Sequence, residues 1–515
     1  MNIPLLIETA YYLRPKQIVY QIKRHFLKPK LGNETFQAVS CTVKIAPTIA
    51  KYQCYEDGNQ FTFLNIRDNF EKWNMQKHGA LWVYNLNYMD WLEQDNITTE
   101  ECLRWIDKFI DELPNNQVGL DPYPIALRII NWAKFFCKYP NCLNQHRRDS
   151  MYAQTMLLSR SLEYHLLGNH LLEDAYALFI ASLFFGDDRL FRKATTLLLG
   201  QLKEQILPDG AHYEQSAMYH CIMLDRLLDC INFAKGTAHS SSVISQLSSF
   251  AVLMLGHLAS IIWKDGSIPL FNDSALGIAP TPEELFDYAT RLGLSWAAIP
   301  LCECGYRRLA MGDMEATVDI GNIMASYQPG HSHADTFSYE LRIDGKPFIV
   351  DTGISTYNKN DRRQHERSTA AHNTVSVGGK DSSRVWGGFR VGKRAKVTIV
   401  KDEKNDIVAR HDGFGRQAVH ERHFACKDGT FFVEDCILGK KVEAISYLHF
   451  APGLHAEIVS ATDGLIKVGD ISIKVEHCQK IEVQNNYMSS EYNKLQSCEV
   501  LALVFTKNVS YTIKR

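Results

Sequence analysis

The hydrophobic period of this chain changes once, and that change constrains the fold more than any other feature. From about residue 96 to 305 apolar residues recur at three and four, the spacing of one helix face. The predicted helices are 99–113, 124–139 (opened by Pro124), 149–167, 171–185, 189–207, 214–235, 244–262 and 282–292. Short turns join them, GDD at 186–188 and LPDG at 207–210. Successive antiparallel helical hairpins without a strict sequence repeat predict an incomplete α/α toroid rather than a regular array. From about residue 318 the period becomes two. Apolar–polar alternation is expected to give strands at 323–328, 337–343, 374–377, 395–400, 407–411, 431–438, 445–450, 465–468, 471–475 and 500–505. The expected class is a multidomain α+β protein: a mixed segment at 1–95, an α/α toroid at 96–317 and an antiparallel β-sheet sandwich at 318–515. Within the first segment, LWVYNLNY at 81–88 is an aromatic-rich lead into the helices.

Composition excludes little. With 515 residues, 45% hydrophobic and 22% charged, the chain has ordinary globular proportions, and a net charge of −2 gives no signal for nucleic acid. The thirteen cysteines lack CxxC pairs, and Cys302 and Cys304 stand too close for an ordinary disulfide framework. Reduced thiols are expected. The N-terminal apolar run is broken by Glu8 and has no small-residue cleavage site. That pattern predicts a cytoplasmic protein, or a periplasmic or secreted one if a leader once preceded it. No membrane-spanning helix is expected.

Two polar constellations stand out. In the β half, His331, His333, Asp351 and His372 fall in GHSHADTFSYELRIDGKPFIVDTG…ERSTAAHNTV. FSYELRI reads as a strand, Asp344-Gly345 as a hairpin turn and PFIV as the return strand. A two-residue turn pairs Ser338 with Asp351, so a metal shared with His333 requires a bend before Ser338. His331 and His333 share a face if extended, and at most one is expected to ligate. Two imidazoles and a carboxylate suit one divalent ion, zinc foremost, with manganese or calcium as alternatives. The stretch 361–396 carries Arg362, Arg363, Arg367, Lys380, Arg384, Arg390, Lys393, Arg394 and Lys396 against Asp361, Glu366 and Asp381. This excess of positive charge beside the histidines is expected to face an anionic substrate.

The second constellation lies in the helical half. In GNHLLED at 168–174, Asn169 can cap a helix while His170 and Glu173, three apart, share a face. DGAHYEQSAMYH at 209–220 adds Tyr213 and Tyr219. These residue types suit β-elimination on a uronic acid. The carboxylate must be neutralised by hydrogen bonds before a base removes the C5 proton, and an acid must protonate the leaving oxygen. Glu173, Asp174, Asp209 and Glu214 keep a two-carboxylate hydrolase open.

The ordered segments GNHLLED, DGAHYEQSAMYH, GHSHAD (330–335), VDTG (350–353) and ERSTAAHNTV (366–375), with PYPIALRIINW at 122–132, resemble the bacterial heparinase II/III family of polysaccharide lyases. The resemblance implies a cleft between toroid and sheet domain and a uronate-containing polysaccharide as partner, most simply a glycosaminoglycan. It implies that Asn169 and His170, helped by Glu173, neutralise the carboxylate. It implies that Tyr219 is general acid and also the base for one C5 epimer, with Tyr213 the competing tyrosine, and that His331 is a second base or a substrate contact. His333, Asp351 and His372 are implied as ligands of a structural metal. Arg128, Trp132, Tyr213, Arg367 and Trp386 are implied as substrate contacts. The alternatives are a metal-dependent hydrolase and a non-catalytic polysaccharide-binding protein.

Overall fold

The computed structural model describes residues 3–27, 29–36, 43–56, 58–237 and 241–515. The helical half contains Thr99–Glu112, Pro122–Lys138, Gln145–Arg160, Gly168–Phe185, Asp188–Gln205, Ala217–Lys235, Ser241–Ile261 and Pro282–Arg291. Their starts are chemically marked. Thr98, Asn144, Asp187, Ser216 and Thr281 each accept a backbone amide from the first turn. Thr281 completes a capping box with Glu284 behind Pro282. Gly168–Phe185 is buried on nearly every face and packs against its neighbours Pro122–Lys138, Asp188–Gln205 and Ala217–Lys235. It is the central helix of this layer.

Ser241–Ile261 is long and apolar enough to cross a membrane by length and composition. No continuous apolar run flags it, because serines interrupt the sequence without adding charge. In the fold its inner face packs on Ala217–Lys235.

The aromatic segment of the first 95 residues is a helix, Ala80–Tyr88, with Trp82, Val83 and Leu86 buried. It follows a three-stranded sheet of Tyr55–Glu56, Gln60–Phe63 and Ile66–Asn69. Phe61, Phe63, Trp73, Trp82, Trp91 and Trp105 form an aromatic cluster continuous with the helical core. This segment is therefore part of the toroid's packing.

The sheet half begins at Tyr306, earlier than the change of period at 318. Strands Tyr306–Met311 and Met314–Asp319 pair around Gly312, at φ 63°. Arginines and a glycine obscure their alternation in the sequence. They continue into Tyr339–Ile343 and Lys346–Ile349 as a four-stranded antiparallel sheet. An eight-stranded antiparallel sheet runs in the order Val397–Glu403, Asp406–His411, Ala418–Lys427, Thr430–Gly439, Asn508–Lys514, Ile471–Glu476, Leu465–Val468, Ala456–Ser460. A further four-stranded sheet orders Lys480–Glu491, Lys494–Phe505, Ala444–His449 and Val375–Val377. The inner faces share one apolar core that includes Phe337, Tyr339, Phe424, Phe431, Phe450 and Tyr511.

Several local expectations change: Gln145–Arg160 ends short of 167, and Asn169 lies inside the first turn of Gly168–Phe185 and does not cap it. Residues 323–328 form a loop rather than a strand, because Met324 N bonds to Gln215 of the helical half and Tyr327 O to Gln17 of the N-terminal segment. The hairpin at Asp344-Gly345 keeps Ile343 opposite Lys346 and Arg342 opposite Pro347, but a bulge then sets Leu341 opposite Ile349. The bend required before Ser338 is present: Phe337 sits at φ 69° and Ser338 N donates to Asp335 O at 2.7 Å.

Candidate active site

The helical half brings Asn169, His170, Glu173 and Tyr219 to one end of the central helices. Leu167 (φ 63°, ψ −150°) and Gly168 (φ 60°) both take left-handed backbone to start Gly168–Phe185. Strain of this kind in a non-glycine residue costs about 1–3 kcal/mol and is held by its surroundings. A Cβ on Gly168 would lie 2.6 Å from Glu214 Oε1, the oxygen that accepts Asn169 N at 2.9 Å. Only glycine lets that carboxylate reach the helix start. Asn169 is buried with its side-chain carbonyl oxygen unpartnered.

His170 Nδ1 lies 2.9 Å from Glu163 Oε2, and its ring packs 4.6 Å from that of Tyr123. Burial disfavours its charge, but Glu163 outweighs burial and raises its pKa. Glu173 is fully buried with both carboxylate oxygens unpartnered; the nearest cation, Arg226, is 3.7 Å away. Burial pushes its pKa up to about 7 against the pull of Arg226.

That shift yields a prediction. The folded protein holds the Glu173 proton to higher pH than the unfolded chain does. Its cost to stability is absent below 4.5, grows as pH rises, and is complete above about 7. The cost is about 3 kcal/mol at the upper end. Glu173→Gln should therefore gain stability over the parent above pH 7 and show no gain below 4.5. Urea unfolding across that range checks it, and a difference independent of pH would contradict it.

Tyr219 occupies the first turn of Ala217–Lys235, fixed by its amide donating to Ser216 Oγ at 3.2 Å. The Ser216 hydroxyl donates to Asp273 O at 2.7 Å, joining this helix to the loop that carries Asp273. The Tyr219 ring stacks on His331 with centroids 3.9 Å apart, and its hydroxyl is 3.3 Å from Tyr357 Oη. Burial raises the Tyr219 pKa, which keeps it a phenol at neutral pH.

His331 ties the two halves together. Its Nδ1 is 2.9 Å from Asp273 Oδ2 and 3.3 Å from Tyr357 Oη; its Nε2 is 3.6 Å from Glu214 Oε2. Asp273 also meets His333 Nε2 at 2.8 Å and receives both terminal nitrogens of Arg363, one at 2.6 Å. Burial acts to raise the Asp273 pKa, but Arg363 and the two histidines hold it well below the carboxylate range.

His333 and His372 pack with ring centroids 5.2 Å apart. His372 Nδ1 is 2.8 Å from Asp351 Oδ2, whose other oxygen accepts Gly353 N at 3.0 Å. His333 Nδ1 and His372 Nε2 are buried without partners, as are His449 Nε2 and Asp335 Oδ2. Burial pushes Asp335 up to about 6. Unpartnered imidazole nitrogens whose opposite nitrogens rest on carboxylates are the arrangement a metal-ligating histidine takes. The donor types suit a divalent ion, although among the described residues the ligand atoms that lie within sharing distance of one another belong to Asp209, His257 and Cys304. Asp335, the last residue of GHSHAD, offers a freer carboxylate oxygen than Asp351 does.

The remaining expected substrate contacts resolve differently. Arg128 is fully buried, donating to Gln154 Oε1 and to Asn87 O, Pro124 O and Gly119 O; it braces the scaffold. Trp132 is fully buried beside Phe109 and Phe136. Arg367 is buried and donates to Ser332 O, so it shapes the GHSHAD loop from behind. Trp386 Nε1 donates to Thr9 Oγ1 beneath the N-terminal helix. Tyr213 is turned to Tyr327, 2.9 Å between hydroxyl oxygens, and Tyr327 in turn to Glu204. In each case the sequence marks an unusual residue without showing which way it faces. The arginines of 361–367 are likewise engaged internally: Arg362 on Glu366, Arg363 on Asp273 and Arg367 on Ser332.

Asp273, Tyr357, Arg363 and Glu163 join the site although sequence reasoning did not select them as site residues. The one signal for Asp273 was the polar triplet Asn272-Asp273-Ser274 inside the apolar run IPLFNDSALGIA.

Two family models match the chain: "Heparinase II/III N-terminus" over residues 139–286 and "Heparinase II/III-like, C-terminal" over 295–509. Together they cover well over half of it. The chain belongs to the heparinase II/III family. Similar curated proteins include the heparin-sulfate lyases of Pedobacter heparinus, 22% identical over 361 residues (61% of this chain, 52% of the relative), and Bacteroides thetaiotaomicron, 23% identical over 352 residues (58% and 48%). The chain thus aligns with about half the length of these relatives. Among solved structures, a heparinase III superposes with a TM-score of 0.68 at 14% identity, covering 100% of this chain and 92% of that one. The heparan sulfate lyase HepC of Pedobacter heparinus superposes with a TM-score of 0.59 at 16% identity, covering 97% and 87%. The heparinase fold, helical half followed by antiparallel sheets, therefore extends across the chain.

Proposed function

We propose that this heparinase II/III family member is a polysaccharide lyase that cleaves a uronate-containing polymer, a glycosaminoglycan by family analogy, through β-elimination. The observation that carries the reading is the bridge made by Glu214. One of its oxygens accepts Asn169 N at 2.9 Å and the other lies 3.6 Å from His331 Nε2, so Asn169 and the Tyr219–His331 stack share one site. In the proposed reaction the Asn169 side chain, His170 and a protonated Glu173 donate hydrogen bonds to the uronate carboxylate. A base removes the C5 proton: His331 for one configuration at C5, and Tyr219, entering as the phenolate, for the other. The C5–H electrons form the C4=C5 double bond, the C4–O4 bond breaks, and Tyr219 delivers a proton to O4. Burial keeps Tyr219 a neutral phenol, which suits the acid role and favours the route in which His331 is the base.

A hydrolase reading finds less support. Asp209 accepts the amides of Cys302 and Cys304, at 3.0 and 2.9 Å, and Asp174 accepts Glu163 N at 2.7 Å. Both carboxylates are committed to the backbone. The test is incubation with a panel of glycosaminoglycans and other uronate polymers, followed by ultraviolet absorbance. A lyase gives the chromophore of an unsaturated uronate. New reducing ends without that chromophore would establish hydrolysis, and binding without turnover a scaffolding role.

The same reading includes one divalent ion, zinc by donor type, held by His333 and His372 with a carboxylate from Asp351 or Asp335. When bound, it would cross-link the GHSHAD loop, the VDTG segment and the turn before Val375–Val377 as a structural clamp. Chelation should lower the unfolding temperature, and added zinc should restore it. Metal analysis that finds no ion, with an unchanged unfolding temperature after chelation, removes the clamp. Loss of turnover with full retention of stability favours a catalytic ion instead.

A further inference from the structure

The first 27 residues hold an unusual share of the exposed large apolar side chains. Ile3 and Ile7 (66% exposed) lie on helix Ile3–Ala10, Tyr11 (83%) follows it, and Ile18, Val19, Ile22 and Phe26 (82%) lie on helix Pro15–Phe26, followed by Leu27. The pattern is ordered. At 100° per residue, positions 18, 19, 22 and 26 fall on one arc. The opposite arc holds the protein. Gln17 Nε2 donates to Leu166 O and Tyr327 O at 3.1 Å each, Tyr20 packs on Tyr164 at 4.8 Å, and Arg24 lies 2.7 Å from His165 Nε2. Helix Ile3–Ala10 is seated the same way. Arg384 and Lys393 N donate to the Glu8 carboxylate at 2.6 and 3.1 Å, and Trp386 donates to Thr9. Polar contacts help fasten both helices; Leu5 and Leu6 of the first are half-buried, while Ile3, Ile7 and the arc of 18, 19, 22 and 26 face solvent, the reverse of an ordinary surface helix.

The surrounding charge selects an occupant. Residues 1–33 contain Arg14, Lys16, Lys23, Arg24, Lys28 and Lys30 against Glu8 alone, in a chain of net charge −2; of these, Arg14 is paired with Glu204. Exposed Arg384, Arg390, Lys393 and Lys396 extend this excess on the sheet segment that receives the first helix. We infer that this helix pair seats the protein on an anionic lipid surface, its apolar side chains entering the headgroup boundary and its lysines and arginines meeting lipid phosphates. An anionic polysaccharide would satisfy the cations but leave Ile22 and Phe26 in water. A second copy would bring like charge against like. The helices are 8 and 12 residues long, too short to span, so they would lie on the surface. Because Gln17 holds Leu166, adjacent to the strained turn before Asn169, docking would set the cleft near the membrane. The inference is independent of the reaction catalysed.

The test is sedimentation with vesicles of phosphatidylcholine alone and of phosphatidylcholine mixed with phosphatidylglycerol. Binding is expected only to the mixed vesicles and should weaken with salt. I22D/F26D should lower partitioning about 100-fold without moving the thermal unfolding midpoint, because both side chains already face solvent. I3D/I7D should lower partitioning from the other helix, a second readout if the first pair disturbs folding. K16Q/K23Q should lower it about tenfold. The inference fails if the protein ignores anionic vesicles, or if binding survives both apolar pairs. It also fails if light scattering shows a concentration-dependent dimer that I22D/F26D abolishes, which would make a second copy the occupant.

Discussion

Replacing Tyr219 by Phe is expected to reduce turnover of a uronate polymer by about 10²- to 10⁴-fold, the range for loss of a positioned proton donor. The substitution removes one oxygen and keeps the ring that stacks on His331 at 3.9 Å. Among the described residues, the hydrogen bond the hydroxyl gives up is the 3.3 Å contact with Tyr357. Stability should therefore change by about 1 kcal/mol or less. Single-turnover measurement of the unsaturated product, beside a urea unfolding curve, separates the two effects. Tyr213→Phe is the matched control. Its hydroxyl is engaged with Tyr327, away from the stack. If Tyr219→Phe keeps full activity while Tyr213→Phe loses it, the two tyrosines exchange roles.

Replacing Asp273 by Asn is expected to carry the largest stability cost in the site. Asp273 and Arg363 are both fully buried and joined through both guanidinium terminal nitrogens. Removing the carboxylate charge leaves a buried guanidinium unpaired, a cost of about 3–5 kcal/mol. The same change frees His331 Nδ1 and His333 Nε2, which lie 2.9 and 2.8 Å from Asp273. Loss of such orienting contacts lowers activity about 10- to 100-fold. A double variant, D273L/R363M, separates the roles: it should recover much of the stability because neither charge remains, while activity stays low because His331 is still unanchored. Denaturant unfolding and turnover of both variants provide the check. A D273N protein as stable as the parent would show that the pair does not seat the loop.

The residues in these two predictions differ in how far local sequence marks them. Asn169, His170, Glu173, Tyr219 and His331 could be singled out because each stands in a short motif whose residue types suit one chemistry, and the fold brings Asn169, Tyr219 and His331 around Glu214. The helices that carry Asn169, His170, Glu173 and Tyr219 were legible from their period alone; their caps were not. Asp273 was not legible, because an aspartate in a loop shows nothing of a partner ninety residues away until the chain is folded. Arg128, Trp132 and Arg367 were misplaced for the converse reason. A buried arginine that satisfies backbone carbonyls and an exposed one that meets substrate have the same sequence signature.

By itself, then, the sequence determined the order of the halves, the period of each and the identity of the two motif clusters, all of which rest on contacts local in the chain. Only the tertiary structure decided that Glu214 reaches both Asn169 and His331, that Asp273 gathers Arg363, His331 and His333, and that the first two helices turn their apolar sides outward. Those are contacts between segments far apart in sequence, or choices of which face is covered. Both depend on how whole elements pack, which local spacing does not encode.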